Sequence, residues 1–348
     1  VAAHVVRGER SQAVPKRVRP WPADEVLNKP AAVTDEKLFR QAVLSPLRYP
    51  GAKRQLVPII ESLVRANVPP PRLLLEPFCG GASTALRLLG TGAVQHAVLA
   101  DADELVSSFW YTAAFHTSWL INRMMEEEVT VDRWDWWRMS NPRGVKERGL
   151  KCLFMNRTTF SGILHGWAGP IGGRAQSSPY KIDCRFNKDA IATRLRAIGE
   201  LADTGRLLDV WHGDWTTSLA RLKSAFGKLV DKDEILVYLD PPYVEKAPSL
   251  YVWSFEDDHH KQLAETLATE LPFRWILSYD DTATTRSLYP ANPTRTLIYV
   301  KNRYTAAGQP AENQRKQARV VRDELLVTNF LDVPDSSSYR VVAGSSVR

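Results

Sequence analysis

The chain has 348 residues, 44% hydrophobic and 24% charged, the balance of a soluble globular protein with length for one large domain plus an insertion, or two ordinary domains. No run of about 18 apolar residues is present, so no membrane helix is expected, and the N-terminus lacks a signal-type apolar core. Cys79, Cys152 and Cys184 lie far apart with no metal-ligand spacing, which argues against a disulfide framework and for a reducing, cytoplasmic setting.

The net charge of +7 suits a polyanionic partner, and it is concentrated. Ten Lys/Arg against three Asp/Glu lie between Arg133 and Arg185, and eight against one between Arg286 and Arg322.

Residues 1–40 read as a basic arm broken by Pro15, Pro20, Pro22 and Pro30. An α/β pattern follows. In chain order it predicts a helix over Lys53–Ala66, a strand over Leu73–Glu76, a helix over Ala82–Leu89, a strand over Ala97–Ala100 and a long helix over Glu104–Met125. After an interruption come a helix over Lys188–Ala202, a strand over Leu207–His212, a helix over Trp215–Phe226 and a strand over Ile235–Leu239. A helix over Asp257–Glu270 and strands over Trp275–Ser278, Thr296–Val300 and Leu325–Thr328 complete it. Strands alternating with helices imply a doubly wound, mostly parallel sheet. The interruption, 130–187, is rich in Trp, Arg and Gly and is expected to be an inserted, mainly helical subdomain. The flanking segments 41–129 and 188–334 then form one domain, and 335–348 a tail.

The first strand runs into Glu76-Pro77-Phe78-Cys79-Gly80-Gly81, and then a helix. Gly80 and Gly81 let the backbone approach a ligand, and the helix start offers free N–H groups. Asp101 closes the second strand, where a carboxylate can hold ribose hydroxyls; capping of the next helix is the competing role. The pair predicts an adenosine-containing cofactor without separating a nicotinamide from S-adenosylmethionine.

Asp240-Pro241-Pro242-Tyr243 follows the apolar strand Ile235–Leu239. Two prolines end the strand at the ligand-binding edge of the sheet and stiffen the loop. The loop presents a carboxylate, rigid carbonyls and an aromatic face together. An exocyclic amino group suits that set. Asp240 and the Pro241 carbonyl can accept its two hydrogens, aiming the nitrogen lone pair at an electrophilic methyl, while Tyr243 stacks on the base. Positioning and electrostatics then supply most of the catalysis, and no metal is required.

These motifs together resemble the Dam-like family of DNA adenine methyltransferases, over roughly Leu44 to Asn329. Tyr49-Pro50-Gly51-Ala52-Lys53 resembles its N-terminal motif, although the family usually has a second glycine where Ala52 stands. The resemblance implies a seven-stranded Rossmann-like methyltransferase fold with S-adenosylmethionine as cofactor. It assigns Tyr49, Lys53, Glu76, Phe78, Gly80, Gly81, Asp101 and Asp214, of the Gly213-Asp214-Trp215 motif, to the cofactor. Asp240, Pro241, Pro242 and Tyr243 become the catalytic loop. Asn156 and Arg157 open the DNA-recognition insertion, where Arg174 and Lys181 are further candidates for DNA contact. The insertion's tryptophans read as a small core rather than as stacking wedges.

Double-stranded DNA is the expected partner, with the target adenine flipped from the duplex. A monomer is expected, alone or beside a cognate restriction or defence component. Transfer to cytosine N4 or to RNA adenine remains open, as does a silent, DNA-binding subunit. A nicotinamide oxidoreductase leaves the Asp240 loop unexplained.

Overall fold

The computed structural model describes residues 27, 39, 45–48, 56–242, 257–303, 321–330 and 332–343. Its centre is an eight-stranded sheet in the order β3-β2-β1-β4-β5-β7-β6-β8. The strands are β1 (Leu73–Glu76), β2 (His96–Asp101), β3 (Leu207–His212), β4 (Ile235–Leu239), β5 (Arg274–Asp280), β6 (Thr296–Arg303), β7 (Val321–Thr328) and β8 (Tyr339–Ala343). β1 to β5 are parallel, while β7 runs antiparallel to both β5 and β6.

Every residue of β1, β2 and β4 is buried, as central parallel strands covered on both faces require. Alternate side chains feed opposite layers. Leu74, Leu99 and Leu236 join one core, and Leu75, Val98 and Val237 the other. The chain reverses direction across the sheet between β1 and β4. Loops leaving those two neighbours therefore open onto one crevice at their C-terminal ends.

The helices are α1 (Val57–Ala66), α2 (Ser83–Gly90), α3 (Glu104–Phe115), α4 (Thr117–Glu126), α5 (Val131–Met139), α6 (Val145–Thr158), α7 (Lys188–Asp203), α8 (Trp215–Phe226), α9 (Asp257–Thr269) and α10 (Ala283–Leu288). The single helix expected over Glu104–Met125 is two, because His116 leaves the helical region at φ −137° and ψ 37°. The seven expected strands are present, with β8 added from the segment read as a tail. Its serine-rich approach hides a short apolar run, Val341-Val342-Ala343, that pairs with β6 and covers that strand's free side.

The insertion is helical, carrying α5 and α6. Gly149 lets α6 lie tightly on α3, since a Cβ there would come within 2.6 Å of Thr112 Oγ1 and 2.9 Å of the Ser108 carbonyl. Trp134, Trp137, Phe154 and Phe186 join the same core as Leu74 and Leu99, so insertion and sheet share one apolar interior.

Candidate active site

The loop after β1 turns sharply. Gly80 has φ +42° and Ala82 φ +46°, and Ala82 leaves the start of α2 without a side-chain cap. Three contacts hold the turn. Asp101 Oδ2 accepts the Gly80 N–H at 2.8 Å, the Ala100 carbonyl accepts the Cys79 N–H at 3.0 Å, and Trp110 Nε1 of α3 donates to the Gly80 carbonyl at 2.8 Å. Asp101 Oδ1 accepts the Asp103 N–H at 2.9 Å, and Asp103 in turn caps α3 by accepting from Leu105 N. Asp101 therefore ties the end of β2 to the glycine turn, while Asp103 performs the capping that competed for it.

Glu76, at the end of β1, is 3% exposed and accepts the Ala85 N–H at 3.0 Å. Burial, with the charges of Asp240 and Asp101 added, pushes its carboxyl well above the ordinary range. Burial and then the charge of Asp103 raise Asp101 to about 7. Asp240 follows β4, and Ser278 at the neighbouring end of β5 donates to its Oδ1 at 2.9 Å. The Tyr238 hydroxyl lies 3.0 Å from the same serine. The carboxyl groups of Glu76, Asp101 and Asp240 thus lie on adjacent strands at one edge of the sheet, where burial and neighbouring negative charge disfavour ionisation of Glu76 and Asp101.

Asp214 begins α8. Its Oδ1 accepts from Thr217 N and Thr216 Oγ1, each at 2.7 Å. Partial burial raises this carboxyl, but those hydrogen bonds outweigh it and hold the group below its ordinary value. The Asp101 carbonyl accepts the Gly213 N–H at 3.1 Å, which joins the β3 loop to the β2 loop. The structure therefore brings Glu76, Phe78, Gly80, Gly81, Asp101, Asp214, Asp240, Pro241 and Pro242 to one edge of the sheet. Tyr49, Lys53 and Tyr243 lie outside the described residues.

The candidate DNA contacts divide. Asn156 is fully buried: it accepts from Arg48 N at 2.6 Å and donates to the carbonyls of Arg48 and Gly162, each at 3.0 Å. Its amide is spent fastening the segment 45–48 to the insertion, so a structural knot replaces the expected DNA contact. Arg157 is 9% exposed. Arg174 lies on the surface in a two-pronged pair with Asp135 at 2.7 and 2.9 Å, and exposed Lys181 donates to the Gln176 carbonyl. The tryptophans divide too. Trp134 and Trp137 are core, whereas Trp136 and Trp167 are exposed at 52% and 71%, and Phe160 and Tyr180 are exposed elsewhere in the insertion.

Sequence reasoning missed Ser278, Tyr238 and Trp110. Ser278 had a usable signal, because it ends a predicted strand that pairs with the strand before Asp240. Trp110 had none, since an indole in an apolar helix reads as packing alone.

Sheet order, glycine turn and the Asp240 loop define the class: this is a methyltransferase. Residues 49–165 match the family described as D12 class N6 adenine-specific DNA methyltransferase. The match spans the glycine turn, Asp101 and the Asn156-Arg157 segment and stops short of Asp240. Two solved structures of the rRNA methyltransferase aviRa from Streptomyces viridochromogenes are similar, at 16% and 15% identity and TM-scores of 0.39 and 0.37. Each alignment covers 87% of this chain and 96% of that one. No curated protein matches the chain. Among the described residues no helix is long and apolar enough to cross a membrane.

Proposed function

We propose that this protein transfers a methyl group from S-adenosylmethionine to the N6 amino group of an adenine flipped out of double-stranded DNA. The observation that carries the reading is the Asp240-Pro241-Pro242 loop at the end of β4, one strand from the glycine turn of β1 and braced by Ser278.

The crevice fits this cofactor on chemical grounds. The turn at Gly80 suits close backbone approach, and Asp101 has a carboxylate for ribose hydroxyls. Asp214, held ionised at the start of α8 by its hydrogen bonds from Thr216 and Thr217, offers a carboxylate to an adenine amino group. Asp240 supplies negative potential for a sulfonium, and Asp101 adds to it as pH rises through about 7. When bound, the cofactor supplies an activated methyl group.

The remaining work falls to the chain. Asp240 accepts one amino hydrogen of the base and the Pro241 carbonyl the other, which draws the nitrogen toward a pyramidal nucleophile. Ser278 holds Asp240 Oδ1, so the carboxylate does not have to be ordered during the reaction. The family resemblance assigns stacking on the flipped base to Tyr243 and cofactor contact to Tyr49 and Lys53. Arg174, Lys181 and the exposed aromatic residues of the insertion supply the DNA surface. The protein acts as a monomer in the cytoplasm, alone or beside a cognate restriction or defence component.

The test is methyl transfer to duplex oligonucleotides, with Asp240→Ala beside the parent. The variant is expected to lose transfer while retaining cofactor binding by calorimetry. Near-normal activity in Asp240→Ala, or methylated cytosine with unmodified adenine, overturns the reading.

A further inference from the structure

A cavity of about 660 Å³ opens beside the cofactor end, between the start of α3, the inner face of α6 and the 163–168 loop of the insertion. Its walls carry Asp103, Arg138, Arg148, Lys151, His165 and Thr159. The cations are not equivalent. Arg148 pairs with Glu104 at 2.7 Å, and His165 Nε2 lies 2.8 Å from Asp103 Oδ2. Arg138 and Lys151 have no carboxylate partner among the described residues. Arg138 donates to the carbonyls of Ala168 and Gly166, both at 2.9 Å, and lies over the Trp134 ring. Lys151 donates only to the Ser140 carbonyl, at 2.5 Å. Partial burial lowers the pKa of Lys151, as expected for an ammonium withdrawn from water without an anion beside it.

Half-buried Lys151, with no carboxylate within ion-pair distance among the described residues, and exposed Arg138, whose nearest negative charge is that of Asp135, stand on the wall of a cavity large enough for a nucleotide and together offer positive charge to an anion. We propose that Lys151 and Arg138 form a phosphate subsite that seats one phosphodiester of the DNA strand next to the cofactor crevice. This rests on DNA being the substrate. The subsite explains why the 163–168 loop is clamped by Arg138 on one side and by the His165–Asp103 contact on the other. A phosphate held there is fixed relative to the end of β2, and so to the glycine turn through Asp101 and Asp103. One backbone contact then sets the distance between the strand and the cofactor. It carries no sequence information.

The experiment is a salt titration of duplex DNA binding by the full chain, comparing the parent with Lys151→Met, which keeps the aliphatic stem, and with Lys151→Arg, which keeps the charge. Lys151→Met is expected to lower affinity about tenfold, equally for every sequence, and to reduce the slope of log affinity against log salt by about 0.9. Lys151→Arg restores most of both, and cofactor binding stays the same in all three. An unchanged slope and affinity in Lys151→Met overturn the subsite. If the parent binds no DNA, the functional reading fails, and titration with inorganic phosphate decides the subsite alone. Phosphate binding lost in Lys151→Met retains it as a small-anion site, and no binding overturns it.

Discussion

Replacing Asp101 with Asn tests the electrostatics of the glycine turn. Asp101 Oδ2 accepts from Gly80 N at 2.8 Å, and Oδ1 from Asp103 N at 2.9 Å. An amide has one acceptor oxygen, so one of those donors loses its partner, which costs about 1–3 kcal/mol. Ionisation works the other way. Burial, then the charge of Asp103, raises the Asp101 carboxyl from 3.8 to about 7. Between those values the folded chain keeps a proton that the unfolded chain has released, so the stability this proton confers is lost as pH rises through about 7. Asn does not titrate. Between about pH 5 and about pH 8.5, the stability of Asp101→Asn relative to the parent should therefore climb by roughly 3 kcal/mol. The variant starts below the parent and ends level with it or above. Denaturant unfolding at both pH values measures the difference. A gap that stays constant across the range refutes the burial argument. Ribose hydroxyls bind the ionised carboxylate best, so parent cofactor affinity should strengthen as pH rises through about 7, and the variant should flatten that dependence.

Ser278→Ala removes the hydroxyl that donates to Asp240 Oδ1, and kcat should fall about tenfold or more with little change in cofactor affinity, read by steady-state methyl transfer. Gly162→Ala places a Cβ 2.2 Å from the Arg48 carbonyl at φ +77°, so thermal unfolding should show a loss of at least about 2 kcal/mol together with loosening of segment 45–48 from the insertion.

Much of the fold was legible because central parallel strands leave an unmistakable trace. Leu73–Glu76, Leu207–His212 and Ile235–Leu239 appear with the bounds their apolar runs set. Glycine and proline punctuated the loops that follow, which placed Asp101 and Asp240 at the correct edge. What failed was information carried by distant partners. β8 is a strand because β6 needs a neighbour, not because of strong local pattern. Asn156 looked like a recognition residue from its motif, yet its three hydrogen bonds reach Arg48 and Gly162, and such a connection has no periodicity to read. Trp134 and Trp137 could not be separated from Trp136 without the face of α5 that meets the core. Lys151 and Arg138 are ordinary basic residues in sequence and acquire meaning only from the cavity between them.

The interior shared by insertion and sheet limits how a new target sequence can arise. Trp134, Trp137, Phe154 and Phe186 pack in one core with Leu74 and Leu99, and Asn156 stitches the same region to the segment before α1. An insertion built this way cannot be cut out and grafted as a cassette between relatives, since the graft would expose one core and leave a hole in the other. On the proposed function, changes of specificity fall to what protrudes: Trp136, Phe160, Trp167, Arg174, Tyr180 and Lys181 are exposed and can be exchanged singly without disturbing that packing. Divergence in such a protein proceeds by editing a surface rather than by trading parts.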